Sequence, residues 1–399
     1  MAAAYRLRQL KWRFKLRLAQ WLLGDKATAP HFAWAGSGSS THLCARIAES
    51  GHENILVVTD KPLRELGIMD RALASINLQT TNVHVFDGVE PDPTFSQAAE
   101  GTALFKAHNC SAVLAVGGGS SMDAAKIIAL AAVNDDDPRG WVGLNKAPEK
   151  GVPIYAIPTT AGTGSEATMG AVITDDTDHS KQIISGLALL PRAVALDPEL
   201  MLSLPPGITA ATGLDALTHG IEAYIGIWER GSRSETALMA VKGVFRWLPQ
   251  VMAEPHNLRA REGMALAAYY GGVAINQVNV GNVHAIAHQL GARYGIPHGV
   301  ANAMVLTEVL AIYGSAAATK LEALASAIGL PEATADSFIE AIGALRASVG
   351  LPSEHEAILR HDIPAMAEAA IVESDDYFSP RLLTVDEMST ILTSICAAH

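Results

Sequence analysis

The sequence predicts two domains of different class: an α/β domain with a mostly parallel sheet over residues 31–205, and an all-α domain over residues 206–399. A basic extension, residues 1–30, precedes both. Three observations carry this. Short apolar or β-branched runs alternate with helical stretches as far as about Asp197, the pattern of a mostly parallel sheet. At Leu204-Pro205-Pro206-Gly207 the texture changes, and the remainder is rich in Ala, Leu and Met with helical periodicity. At 399 residues the chain is long enough for two cores.

Composition excludes several classes. An apolar content of 49% with 18% charged residues fits a well-buried globular enzyme rather than a disordered chain. A net charge of −12 argues against nucleic acid as a partner. Cys44, Cys110 and Cys396 are too few and too scattered for a disulfide framework or a cysteine zinc site, and suit a reducing, cytoplasmic compartment. No uninterrupted apolar run approaches the ~20 residues of a membrane span, so no membrane partner is expected.

The extension is the odd piece. Up to Gly24 it has no acidic residue, whereas Arg6, Arg8, Lys11, Arg13, Lys15 and Arg17 are basic. Leu7, Leu10, Phe14, Leu18, Trp21 and Leu22 would share one helical face, although Trp12 to Leu18 also alternates like a strand. A transit peptide or a membrane-surface helix is compatible with this pattern. The favoured reading is an extension that packs on the body or on a partner subunit.

Along the α/β domain, HFAWAGSGSS reads as a strand and tight turn leading to a helix from about Thr41. Asn54 to Asp60 reads as a buried parallel strand. Asp60 at its end is placed either to meet the adenosine ribose hydroxyls of a dinucleotide, which favours NAD over NADP, or to cap the helix begun by Lys61-Pro62. After a further strand, TNVHVFDG, comes SAVLAVGGGSSMDAAKIIAL. Gly117, Gly118 and Gly119 follow a strand and let backbone approach a pyrophosphate, and Ser120 opens a helix whose free N–H groups favour anions. Asp123 and Lys126 lie on its first turns. The ordinary GxGxxG fingerprint is absent. Beyond a strand ending at Ile157, Thr159, Thr160, Thr163 and Ser165 form a hydroxylated loop able to bond a ribose, a carboxamide or a phosphate. AVITDD and RAVALDPEL complete the strands, so this is a dinucleotide-binding domain by expectation.

In the helical domain, GLDALTHGIEAY supplies Asp215 and His219 four apart, and GNVHAIAHQLGARYGIPHG supplies His284, His288 and His298. One carboxylate and several imidazoles at helical spacing make a cage for a divalent transition metal. The active site is expected between this metal and the cofactor domain.

GGGSSMDAAK, IPTTAGTGSEAT, GLDALTHGIEAY and GNVHAIAHQLGARYGIPHG, in this order and spacing, resemble the iron-containing (group III) alcohol dehydrogenase family from about Gly36 to the C-terminus. The resemblance implies that Asp215, His219, His284 and His298 ligate the metal, and that His288 handles a proton near nicotinamide and substrate. It assigns Gly118, Gly119, Ser120 and Asp123 to the cofactor phosphates and nearby contacts, Thr159 and Thr160 to the adenosine–ribose side, and Lys181 to a ribose contact. Asp60 matches the family's acid in VVTDK. Three places depart from the family pattern: Gly272-Val273-Ala274-Ile275-Asn276, where Ile275 replaces an aromatic, Leu306-Thr307-Glu308-Val309, and Ser379-Pro380-Arg381. These bear on the shape of the substrate pocket rather than on the reaction class.

The expected function is therefore metal-dependent, NAD-linked (NADP less favoured) interconversion of a small alcohol and its aldehyde, with Fe(II) or another divalent ion such as Zn(II). A homodimer is the expected assembly. The alternatives are a glycerol or polyol dehydrogenase or a maleylacetate reductase of the same superfamily. Further off lie a dehydroquinate-synthase-like lyase, which would need a basic cluster this helical half lacks, and a non-catalytic metal-binding protein, which would not need both sites.

Overall fold

The computed structural model describes residues 2–23, 32–76, 80–228, 232–375 and 377–397. The chain divides into two compact units. The α/β unit comprises Ala29–Pro205 with Ala253–Gly272; the helical unit comprises Met1–Thr28, Pro206–Met252 and Val273–His399.

The α/β unit is built on a six-stranded, wholly parallel sheet in the order β1-β8-β5-β4-β2-β3. These are β1 (Phe32–Ala35), β2 (Asn54–Val58), β3 (Asn82–Phe86), β4 (Ala112–Gly117), β5 (Ile154–Pro158) and β8 (Ala193–Leu196). β6 (Gly170–Thr174) and β7 (Lys181–Ser185) stand apart as an antiparallel pair. The continuous apolar runs of β2, β4 and β5 are buried because helices cover both faces of such a sheet. Their side chains join Leu43, Ile47 and Met69 in the core. The chain leaves β2 toward β3 on one side and leaves β4 toward β5 on the other. The topological switch point thus lies between β2 and β4, where ligands bind such sheets.

Two features were not foreseen. AVITDD is a strand but belongs to the separate hairpin, and its partner β7, KQIIS, is too polar to have stood out. Residues 253–272, read from sequence as part of the helical domain, group with the α/β unit. The division falls inside the helix Leu258–Val278, because Gly272 there meets the loop glycine Gly164 backbone to backbone. A Cβ on Gly272 would lie 2.3 Å from the Gly164 carbonyl oxygen.

In the helical unit the N-terminal extension forms one helix, Ala2–Leu23. It packs on the body: Trp12 and Leu16 are buried with Ala223, Trp228, Phe378 and Leu382. Tyr5 donates to the Leu382 carbonyl at 2.7 Å, and the Trp12 indole donates to the Tyr377 carbonyl at 3.3 Å. Leu10, Phe14 and Leu18 are exposed, and the side chains of Leu7, Trp21 and Leu22 lie outside the described residues. One helix of this unit, His298–Ala316, is long and apolar enough to cross a membrane by length and composition alone. Its residues Ala301, Met304, Leu306 and Val309 are buried inside the unit, so its apolarity is that of a core helix.

Trp12→Ala should lower the unfolding free energy by about 3 kcal/mol, as expected for a buried aromatic, whereas Phe14→Ala should cost under ~0.5 kcal/mol. Denaturant melts of the two variants check this. Equal costs would contradict the packing direction of the helix.

Candidate metal centre and cofactor cradle

Four side chains converge in the helical unit. Asp215 and His219 lie one turn apart on the buried face of the helix Pro206–Ile225. His284 sits near the start of the helix Asn282–Tyr294, and His298 opens the helix His298–Tyr313 after Pro297. Asp215 Oδ1 lies 3.7 Å from His219 Nε2, 3.6 Å from His284 Nε2 and 3.5 Å from His298 Nε2. The ligand atoms of Asp215, His284 and His298 fall within 4.8 Å of one another. The His219 and His284 rings stack 4.8 Å apart.

The arrangement fits a divalent ion on its own evidence. Asn302 Nδ2 reaches Asp215 Oδ1 at 2.8 Å and the Nε2 atoms of His284 and His298 at 3.2 Å each. Its own Oδ1 is buried without a hydrogen-bond partner among the described residues. One carboxylate oxygen and two imidazole nitrogens drawn around one buried amide mark a place that a cation with nitrogen and oxygen ligands suits. Burial works against the Asp215 carboxylate, yet His219, His298 and His284 hold it far below the usual carboxylate range. Burial also disfavours the charged form of His284, but Glu222 and Asp215 outweigh it and hold the pKa up at about 9.

Glu222 was not foreseen and is central. It lies seven residues after Asp215, on the same helix face, and accepts from His284 Nδ1 at 2.6 Å. The Gly281 and Val283 N–H groups each donate to it at 2.8 Å. This leaves His284 Nε2 as the nitrogen turned toward the cluster. The spacing Asp215, His219, Glu222 is legible in GLDALTHGIE and was the available signal. Two glycines permit the approach. A Cβ on Gly281 would lie 2.6 Å from Glu222 Oε1, and one on Gly299 would lie 2.2 Å from the Ala211 carbonyl oxygen.

His288 lies one turn beyond His284, with its ring 5.2 Å from that of His298. Its Nδ1 pairs with Glu373 Oε1 at 2.5 Å, and that oxygen also accepts from the Tyr377 hydroxyl at 2.5 Å. Gln289 donates to Glu373 Oε2 at 3.0 Å. Burial opposes ionisation of Glu373, but His288 and Tyr377 hold its carboxyl below the usual range. Glu373, on the helix Ile363–Ser374, had no sequence signal, being 85 residues from His288.

In the α/β unit the expected cofactor residues gather at the carboxyl ends of β2, β4 and β5. Gly118 precedes the helix Gly119–Ala131 with no side-chain cap, so its first N–H groups are not claimed by one. Gly117 pairs with Pro158 across the sheet, and Thr159 N donates to the Gly117 carbonyl at 2.9 Å. Thr160 and Thr163 stand against Gly118 and Gly119; a Cβ on Gly119 would lie 2.7 Å from Thr163 Cγ2. Ser120 is the second residue of that helix, half-buried beside them. Asp60 caps the helix Lys61–Glu65, accepting from Leu63 N at 2.9 Å, and burial raises its pKa against that bond.

Two expected residues are engaged elsewhere. Asp123 accepts from Ser165 Oγ at 2.7 Å and from Val172 N at 3.0 Å, so both oxygens hold the loop and hairpin. Lys181 pairs with Asp92 at 2.7 Å. Fully buried Lys126 donates to Ser165 O and Oγ, Thr168 Oγ1 and Gly170 O at 2.6–3.0 Å, pinning the loop behind Thr163.

Residues 30–198 match the iron-containing alcohol dehydrogenase family, and residues 209–396 match that family's C-terminal domain. The chain belongs to this family. It is a metal-dependent alcohol dehydrogenase or aldehyde reductase, an NAD-linked oxidoreductase acting on CH–OH groups. Alcohol dehydrogenase 4 of Schizosaccharomyces pombe is 36% identical over 92% of this chain and 87% of its own length. A crystal structure of 1,3-propanediol oxidoreductase superposes with a TM-score of 0.89 at 35% identity, covering 92% of this chain and 98% of that one. Sulfoacetaldehyde reductase from Bifidobacterium kashiwanohense, solved with NAD+, gives a TM-score of 0.86 at 29% identity, covering 94% and 99%.

Glu222→Gln should weaken divalent-metal binding about 10- to 100-fold, because the group that orients His284 loses its charge. Gly299→Val should weaken it at least as much by wedging the His298 helix from Ala211. Competition with a chelating dye measures both; unchanged affinity in Glu222→Gln would remove Glu222 from the centre.

Proposed function

We propose that the chain interconverts a small primary alcohol or diol and its aldehyde with NAD, using an ion held by Asp215, His219, His284 and His298. The observation that carries this is the convergence of three imidazole Nε2 atoms within 3.5–3.7 Å of one buried carboxylate oxygen. That donor set suits Fe(II), and Zn(II) equally in chemistry. When bound, the ion supplies Lewis acidity toward an alcohol or carbonyl oxygen, and the nicotinamide exchanges hydride.

The chain's own residues do the rest. Glu222 fixes the tautomer of His284, and Glu373 fixes that of His288. With Nδ1 committed to Glu373, His288 Nε2 is the atom left to hold and release a proton. Gly117, Gly118, Gly119 and Ser120 offer backbone donors to a pyrophosphate, and Thr159, Thr160 and Thr163 offer hydroxyls beside it. Asp123 and Lys181 act in this reading by shaping the loop and hairpin, their contacts being internal. Asp60, at the switch point, disfavours a 2′-phosphate and so supports NAD over NADP.

The similarity to 1,3-propanediol oxidoreductase favours short diols as a second substrate class. The proposed assembly is a homodimer working in the cytoplasm, where three buried free thiols stay reduced.

NADH formation at 340 nm, with a panel of primary alcohols and diols, tests the reading. Chelator-stripped protein should be inactive and should recover with Fe(II) or Zn(II). Full activity after stripping would sink it. His288→Ala should lower kcat about 100-fold or more while leaving metal content intact. Asp60→Ser should raise the NADP-to-NAD ratio of kcat/KM at least about tenfold; an unchanged ratio would assign Asp60 to the helix cap alone.

A further inference from the structure

The N-terminal helix Ala2–Leu23 has two faces with different fates. Tyr5, Arg8, Trp12 and Leu16 turn toward the helical unit, where Trp12 and Leu16 are 4% and 3% exposed. Leu10, Phe14 and Leu18 follow one another at four-residue spacing on the opposite side and are 71%, 70% and 44% exposed. At ~100° per residue these three make a stripe about 80° wide. Lys11 and Lys15 run along one margin of the stripe, and Arg13 and Arg17 along the other, all four exposed. Of the chain's 29 basic residues six fall before Gly24, and of its 41 acidic residues none does.

We propose that this outward face docks on an anionic lipid bilayer. The helix lies in the plane of the headgroups, with Leu10, Phe14 and Leu18 at the acyl boundary and the four cations reaching lipid phosphates on either side. An apolar stripe with cations on both margins is the composition of an interfacial helix, and Lys and Arg extend their stems along apolar surface while their heads stay with phosphate. Each cation close to an anionic leaflet strengthens binding about fivefold. The helix is already folded and anchored by its inner face, so docking carries little ordering cost. The remainder of the chain is acidic, so electrostatics turn this face, and not another, toward an anionic surface.

A second copy of the chain is the poorer occupant. A two-fold contact sets the same patch against itself, which brings the Lys11, Arg13, Lys15 and Arg17 rows of both copies together. Like charges disfavour that pairing, whereas a phosphate surface complements it.

The test is flotation of the full-length, metal-loaded enzyme with phosphatidylserine–phosphatidylcholine vesicles, against pure phosphatidylcholine vesicles. The enzyme should float with the anionic vesicles, at least about tenfold less with the neutral ones, and less again at high salt. Leu10→Glu/Phe14→Glu should lose at least about tenfold of the anionic binding while retaining turnover and oligomeric mass. Arg13→Gln/Arg17→Gln, which spares the stripe, should lose about 25-fold. Absence of flotation with anionic vesicles, indifference to lipid charge, or unchanged binding in the first variant would each overturn the proposal. A change of oligomeric mass in Leu10→Glu/Phe14→Glu without vesicle binding would assign the face to a second copy instead.

Discussion

The helical unit is arranged around one buried carboxylate. Asp215 is almost wholly enclosed, and an ionised carboxylate in such a place survives only if positive or strongly polarised groups surround it. The imidazoles of His219, His284 and His298 meet that demand, with the Asn302 amide beside them. Each requirement generates the next. His284 faces Asp215 through Nε2 because Glu222 takes Nδ1, and Glu222 is held by the N–H groups of Gly281 and Val283. Glycine at 281 and 299 then follows from space, since a side chain at either would strike Glu222 or the Ala211 backbone. A divalent ion held by these four side chains would take the place of protons on the imidazoles, which would link its binding to proton release.

The α/β unit solves a different problem with similar means. The uncapped helix start after β4 leaves backbone N–H groups open while the loops around it stay closely packed and in register. Lys126 does the latter: burial pulls its pKa down to about 8, opposed by Asp123 and Glu166, and four oxygens receive its ammonium. The charged residues of the GGGSSMDAAK motif therefore serve the loop that follows, while the helix that begins at Gly119 has no side-chain cap. Charged residues within a glycine-rich motif thus serve the packing of the chain itself.

This separates what was legible in sequence from what was not. The parallel strands were legible because burial on both faces leaves continuous apolar runs, as in NILVV and AVLAVG. Asp215, His219 and His284 were legible because a metal needs particular donor types at helical spacing. Whether His288 or His298 completes the cluster was not decidable from spacing, because it depends on how the chain turns at Gly295 and Pro297. Glu373 and Tyr377 were invisible, since their relation to His288 exists only after the helices pack. The N-terminal helix failed differently. Of the apolar residues that stood out, Leu10, Phe14 and Leu18 are exposed, and the anchors Tyr5, Trp12 and Leu16 looked unremarkable in sequence.

That helix bears on the centre through a short chain of contacts. Arg8 bonds the Ile371 carbonyl at 3.2 Å and Asp375 at 2.5 Å, and Trp12 bonds the Tyr377 carbonyl. These three points bracket Glu373, which lies in the last turn of its helix, where backbone carbonyls lack intrahelical partners and ends fray. The Arg8 ion pair is partly exposed and adds little energy by itself. Its value is geometric, since it adds a third tie to a helix terminus already held by Ser374 Oγ on the Ile371 carbonyl and by Tyr377 N on the Ser374 carbonyl. Glu373 must hold His288 Nδ1 and the Tyr377 hydroxyl on one oxygen, an arrangement that tolerates little drift. An extension remote in sequence from every site motif thereby stiffens the carboxylate that pairs with His288 Nδ1.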